Sequence, residues 1–173
     1  MTNTYKIPMN KLVLAALLCF IIAVSAAVAW SFNSGLTWTA ICLIVVAGPL
    51  SCLYWYMLYI NPKRASITVA EEGILLAAPP FASAIIPWAS VEKAFAANLT
   101  DPDFAIKKTQ KIMSFGGYKS GIVELKNGKE AVIVSNQPTI LCIQTADRYY
   151  LLGPAMVELF IQDVEKIMQQ KAG

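Results

Sequence analysis

Between Lys11 and Lys63 the chain carries no Asp, Glu, Lys, Arg or His, and no other feature limits its fold as much. The uncharged tract divides into two apolar runs, about residues 12–32 and 36–60. Each reaches the ~20 residues that a helix needs to cross a bilayer. The connection between them contains Asn33, Ser34 and Gly35, which suit a tight turn. These residues predict a hairpin of two transmembrane helices.

Lys6 and Lys11 precede the first run, and Lys63 and Arg64 follow the second. Basic flanks favour the inner side of a membrane, so the expectation is a multi-pass protein of the cell membrane with both termini cytoplasmic. Aromatic belts fit that orientation, with Trp30, Phe32 and Trp38 near the turn and Tyr54, Trp55, Tyr56 and Tyr59 at the other end. Composition agrees: 57% of residues are hydrophobic and 14% charged, against a charged share of ~25% in ordinary soluble domains. A second reading stays open, because Lys11, the apolar stretch to Val24 and the Ala-Val-Ala ending at Ala29 also resemble a secretory signal with its cleavage site. Against it, the apolar run continues through that site into Trp30, and a second run follows at once.

Small residues recur every fourth position in the first run, at Ala15, Cys19, Ala23 and Ala27. Such a ridge lets another helix approach closely, and Ala47, Gly48, Ser51 and Cys52 offer a matching surface on the second run. Pro49 is expected to kink that helix. Transport and proton relay need ionisable groups within the membrane. These runs have none, so an anchor is expected rather than a transporter or an intramembrane enzyme.

Domain boundaries follow: residues 1–62 form the N-terminal segment and membrane hairpin, and residues 63–173 a cytoplasmic domain. Short apolar runs separated by turns fill the latter. "ASITVA" and "GILLAA" flank the turn at Glu71, Glu72 and Gly73, and Pro79 and Pro80 end the second strand. "AIIPW", "VEKAFAANL" and, with more ambiguity, "FAIKKTQKI" read as further strands. In "GYKSGIVELKNGKEAVIV", Asn127 and Gly128 favour a two-residue type I′ turn, which would set Val123 opposite Val132 and bring Lys126 and Lys129 together. "TILCIQTA" and "YYLL" complete the strands. From Pro154 onward a helix is predicted, with Val157, Phe160, Ile161, Val164, Ile167 and Met168 on one face. Glu158 near its start and Lys171 near its end suit the helix dipole.

About seven short antiparallel strands followed by one amphipathic helix is the element order of a pleckstrin-homology domain. Residues from about Ile67 to Met168 resemble the bacterial pleckstrin-homology-like family through "IIPWASVEKA", "GYKSGIVELKNGKEAVIV", "TILCIQTADRYYLL" and the closing helix. The resemblance implies an antiparallel barrel or sandwich, a frequent association with one or two membrane spans, and no catalytic residues. Phosphoinositide-binding members carry Lys and Arg around the turn joining their first two strands. This chain has Glu71 and Glu72 there, which puts that mode of headgroup binding in doubt.

Catalysis finds little support in the side chains. The chain has no histidine, which removes nucleophile–histidine arrangements and the commonest metal ligand. Cys19, Cys42 and Cys52 lie in the apolar runs and Cys142 in a strand, without disulfide or zinc spacing. Glu71 with Glu72, and Asp101 with Asp103, read as solvated turn residues. Gly116 and Gly117 precede no predicted helix, so they lack the mechanism of a phosphate loop. No cofactor is expected. All 11 acidic residues and every basic one except Lys6 and Lys11 lie beyond residue 62. That near balance argues against nucleic acid as a partner.

One basic cluster stands out. Lys107, Lys108, Lys111 and Lys119 occur with no acidic residue among them, so this surface is a candidate contact for anionic lipid or a partner. A solvated strand face is the plainer alternative. The functional expectation is a membrane-anchored, non-catalytic interaction module that binds a protein segment or anionic lipid. One way is strand addition at an exposed edge such as "ITVA". The alternative is an accessory subunit of a larger membrane complex, for transport or envelope assembly, that uses its helical hairpin as the contact surface.

Overall fold

The structure is a computed structural model that describes residues 2–8 and 10–172, without the side chains of residues 171 and 172. The expected dipole contact of Lys171 therefore lies outside the described residues. Two compact units emerge, one formed by residues 10–61 and the other by residues 1–9 together with 62–173.

The first unit is helical. α1 (Lys11–Asn33) is capped by Asn10, whose Oδ1 accepts from the Leu12 N–H at 2.9 Å. A turn at Ser34–Leu36, with Gly35 at φ +74°, leads into α2 (Thr37–Trp55). A π-helical turn (Tyr56–Ile60) and the short α3 (Asn61–Arg64) complete it. α1 and the continuous stretch Thr37–Arg64 are both long and apolar enough to cross a membrane. The face of α1 turned to its neighbour differs from the expected one. It carries Leu17, Ile21, Val24, Val28 and Ser31, whereas Ala15, Cys19, Ala23 and Ala27 are exposed. On α2 the inward positions do include small residues, Ala40, Ala47, Gly48 and Ser51, while Cys52 is exposed. Large side chains of α1 thus meet small ones of α2, in place of two small ridges.

The second unit holds two sheets and one long helix. The four-stranded sheet has the order β1 (Asn3–Lys6), β2 (Ser66–Val69), β3 (Gly73–Ala78), β4 (Ala82–Pro87), and all its pairs are antiparallel. The six-stranded sheet is built from β5 (Val91–Asn98), β6 (Ile106–Phe115), β7 (Tyr118–Leu125), β8 (Glu130–Ser135), β9 (Thr139–Thr145) and β10 (Tyr149–Gly153). Its spatial order is β5-β9-β10-β8-β7-β6. The sheets do not close into a barrel. β10 slots between β9 and β8 and runs parallel to β8, so the sheet is not wholly antiparallel as expected.

The expected boundary at residue 62 separates residues 3–6 from the sheet they belong to. β1 is added to β2, with Tyr5 opposite Ile67 and Lys6 opposite Ser66. Tyr5 and Ile7 point into the core while their neighbours face outward, the period of two that a half-buried strand requires. The helical unit is therefore inserted, in sequence, between two adjacent strands.

Two cores explain the run of apolar residues in β8, β9 and β10. Val132, Val134, Leu141, Ile143 and Leu152 face the four-stranded sheet and the C-terminal helix α4 (Val157–Ala172). Ile133, Ile140, Cys142 and Leu151 face the other way, against Val123, Leu125 and Phe104. Strands buried on both faces lose the apolar–polar alternation of an ordinary antiparallel sheet. The stripe on α4 is as read from the sequence, with Phe160 and Val164 fully buried and Ile161, Ile167 and Met168 packed beside them. Its start is later than Pro154, because residues 154 and 155 are engaged elsewhere: the Ala155 N–H donates to the Lys6 carbonyl at 2.9 Å, and the Pro154 carbonyl accepts from Gln137.

The β7–β8 hairpin differs in register by one residue. Gly128 N–H donates to the Leu125 carbonyl and Leu125 N–H to the Lys129 carbonyl, both at 2.9 Å. This gives a three-residue loop with Gly128 at φ +79°. Val123 consequently faces Ala131 in place of Val132. The two-residue turn with both φ values positive is found instead at Gly116 (φ +54°) and Gly117 (φ +88°), between Phe115 and Tyr118.

Candidate functional site

The four lysines singled out in the sequence do not form one surface. Lys107, Lys108 and Lys111 lie on β6, an outer strand of the six-stranded sheet, whose pairing with β7 is interrupted between Ile106 and Lys108 and again between Thr109 and Lys111. Lys111 sits opposite Ile122, and Lys119 is three residues from Ile122, so Lys119 projects from the other face. Lys107 Nζ donates to Glu124 Oε1 at 2.8 Å. That bond lowers the Glu124 pKa and raises that of Lys107. The acidic partner stands five residues beyond Lys119, just outside the acid-free stretch that the four lysines span. Lysines and irregular pairing on a sheet edge are the usual means of keeping another strand from adding to it.

Glu124 faces Glu130 across the hairpin, a repulsive arrangement by itself. Each is offset by a cation, Glu124 by Lys107 and Glu130 by Arg148 at 3.2 Å. Lys129 extends over the Tyr149 ring, 5.2 Å from its centre, instead of meeting Lys126.

The edge proposed for strand addition is occupied. β2, which contains "ITV", has β1 on one side and β3 on the other. The outer strands of that sheet are β1 and β4. From Gly73 to Val91 there is no charged residue, and Leu75 and Ile85, directly opposite one another, are 40% and 69% exposed. Lysines guard β6, whereas β4 has no such protection.

A shallow groove of about 340 Å³ lies between the β2–β3 turn and α4, lined by Asn3, Val69, Glu71, Asp163, Lys166 and Ile167 among others. Asn3 Nδ2 donates to Asp163 Oδ2 at 2.6 Å, and the Tyr5 hydroxyl donates to the same oxygen. These donors hold the Asp163 carboxyl below its ordinary range. Burial and the hydrogen bond to Asp163 push the Tyr5 phenol up to about 12. Sequence reasoning missed this pair because β1 lay in the segment given to the membrane. The alternation Thr4, Tyr5, Lys6, Ile7 was the available signal. Two carboxylates and one lysine give the groove mixed charge, with no concentration of cations for a polyphosphate.

Among the described residues no group of three His, Cys, Asp or Glu could hold a metal. Cys142 is fully buried, and burial pushes its thiol up to about 12. Within the helical unit, a groove of about 540 Å³ is lined by Ile21, Val28, Leu43 and other mainly apolar residues. The Ser25 and Ser51 hydroxyls beside it donate to the Ile21 and Ala47 carbonyls of their own helices.

The family model described as bacterial PH domain matches residues 65–168, more than half of the chain. The match begins one residue before β2, so β1 lies outside it. No curated protein and no solved structure matches the chain.

Proposed function

Since the chain belongs to the bacterial PH domain family, we propose that it is a non-catalytic interaction module fixed at the inner face of the cell membrane. Its two apolar helices cross the bilayer, and its β unit binds a protein segment or anionic lipid there. The observation that carries this reading is the insertion of the helical hairpin between β1 and β2. Lys6 and Ser66 are opposite one another, so the chain leaves for α1 and returns from α3 at one end of one sheet. Two crossings taken as a pair would return the chain to the side it started from, which supports this reading. Cleavage after Ala29 would sever β1 from its sheet, which counts against a removable signal.

Confinement of such a unit raises the effective concentration of any partner on the same membrane without a new contact. The surface best suited to a protein segment is the β4 edge with Leu75 and Ile85, where an extended peptide would gain main-chain hydrogen bonds and an apolar face. The Lys107–Lys111 edge fits a protective role better.

The accessory-subunit alternative rests on the outward ridge Ala15, Cys19, Ala23 and Ala27, which α2 leaves uncovered. Photocrosslinking in intact cells separates the two. A photoreactive residue at Ile85 should capture a partner and one at Ala23 should not. Capture at Ala23 alone would favour the accessory subunit and overturn the module.

A further inference from the structure

One end of the β unit differs from the other, and internal hydrogen bonds identify what belongs to it. Four residues separate β1 from α1, and one separates α3 from β2. The passages to and from the helices therefore leave the sheet at Lys6 and Ser66. The next rungs in the same direction pair Ser66 with Ala77 and Ala77 with Ser83, and the Pro79–Phe81 turn follows immediately. The Ser120 hydroxyl donates to the Ala78 carbonyl at 3.2 Å, which brings the start of β7 and the Phe115–Tyr118 turn to this end. Asn136 donates to the Pro8 carbonyl, and the Ala155 N–H to that of Lys6. The start of α4 is thus there too.

Large apolar side chains stand exposed at this end: Phe81 is 41%, Phe115 38% and Met156 55% accessible. Lys6 is exposed and Lys119 half-buried among the same turns. The opposite end carries the Glu71–Glu72 turn, the facing pair Glu124 and Glu130 with their partners Lys107 and Arg148, and the turns at Lys126–Lys129 and Asp147, so its charges are mixed. The tethered end also holds Asp101 and Glu158, so its exposed apolar turns beside Lys6 and Lys119, and not a charge difference between the ends, are what suit an interfacial surface. Where the two helices span a membrane, linkers of one and four residues limit how far this end can lie from it.

We propose that this end of the β unit is seated on the bilayer interface, with Phe81, Phe115 and Met156 at headgroup depth and Lys6 and Lys119 against anionic phosphates. The inference rests on the reading that the two apolar helices cross the membrane. It assigns the lipid contact to the Pro79–Phe81 and Phe115–Tyr118 turns, away from both the β6 lysines and the β2–β3 turn.

Spin labels on the full chain test it. Cys19, Cys42 and Cys52 are changed to Ala, and buried Cys142 is kept. Single variants Phe81→Cys, Phe115→Cys, Asn127→Cys and Val45→Cys are labelled and reconstituted in vesicles of phosphatidylcholine and phosphatidylglycerol. Collision with oxygen and with a water-soluble nickel chelate then reports depth. The expected result is a deep label at 45, interfacial labels at 81 and 115, and a fully aqueous label at 127. Aqueous labels at 81 and 115 with a deep label at 45 would overturn this inference and leave the spanning helices standing. An aqueous label at 45 would overturn both.

Discussion

The helical unit and the β unit are both rich in apolar side chains, and they dispose of them in opposite directions. In the hairpin, Leu12, Trp38 and Val45 are 76%, 80% and 66% exposed, and the buried positions on α1 and α2 are Leu17, Ser31 and Ala40. In the β unit, Ile67, Ile133 and Phe160 are fully buried. The apolar groups that the helical half displays are of the kind that a bilayer or another protein covers. The comparison therefore bears on where each half resides, beyond what composition alone conveys.

Exchanging equivalent perturbations between the halves is the sharpest way to probe that contrast. Phe160→Ala removes a fully buried ring that meets Tyr5 edge-on at 5.3 Å. It should cost about 3–5 kcal/mol in denaturant unfolding of the full chain in detergent. An unchanged midpoint would mean that α4 does not cover the core. Val45→Asp, on an exposed helical position, should leave that midpoint in place. It should instead weaken insertion by about 2.5–3.5 kcal/mol, read by glycosylation mapping in microsomes. Unaltered insertion would remove the contrast between the halves.

A smaller effect concerns the strand that precedes the hairpin. Asp163→Ala should cost about 1 kcal/mol, the carboxylate being only half-buried. The sign of the pH dependence follows from the shifts. Asp163 is held below its ordinary pKa, so its contribution is present above the usual carboxylate range and fades as pH falls through the depressed value. Tyr5 is raised to about 12, so its contribution is full below ~10 and fades as pH rises toward about 12. Tyr5→Phe should flatten the alkaline limb of a stability–pH profile, and an unchanged limb would contradict the pairing of β1 with the core. The smallest effect has the opposite sign. The Tyr118 hydroxyl is buried, with the Ser120 hydroxyl near it but directed to the Ala78 carbonyl and no hydrogen bond of ordinary geometry among the described residues; burial raises its pKa, and Ser120 opposes that. Tyr118→Phe should leave the midpoint equal or raise stability by up to about 1 kcal/mol.

What the sequence disclosed depended on how far each signal reached along the chain. A charge-free tract from Leu12 to Pro62 and the three-to-four spacing of Val157 through Met168 are long local patterns, and both elements are where they point. The Glu71–Gly73 turn and the strands around it were legible for the same reason. β1 was not, because the residues ahead of an apolar helix offer one alternation, Tyr5 and Ile7, and Ile67, the strand partner of Tyr5, is 62 residues away. The β7–β8 register was missed because Asn-Gly fits both a two-residue loop and the end of a three-residue one. Only the hydrogen bond from Gly128 to Leu125 separates them. The lysine cluster failed as a single surface for a related reason. Neighbours in sequence alternate faces in a strand, and the partner of Lys107 came from β7. Likewise, a small-residue ridge on α1 shows that close approach is possible, without naming the helix that approaches.

The claim on which the rest depends is that residues 2–8 and the β unit lie together on one side of a membrane, with the α1–α2 turn on the other. Single cysteines at Thr2, Ser34 and Asn127, in a chain with Cys19, Cys42 and Cys52 changed to Ala, can be probed with an impermeant maleimide on sealed vesicles of known orientation. The account predicts that positions 2 and 127 react from the same side and position 34 only from the opposite one. Reaction of 34 and 127 from one side, with 2 on the other, would contradict it.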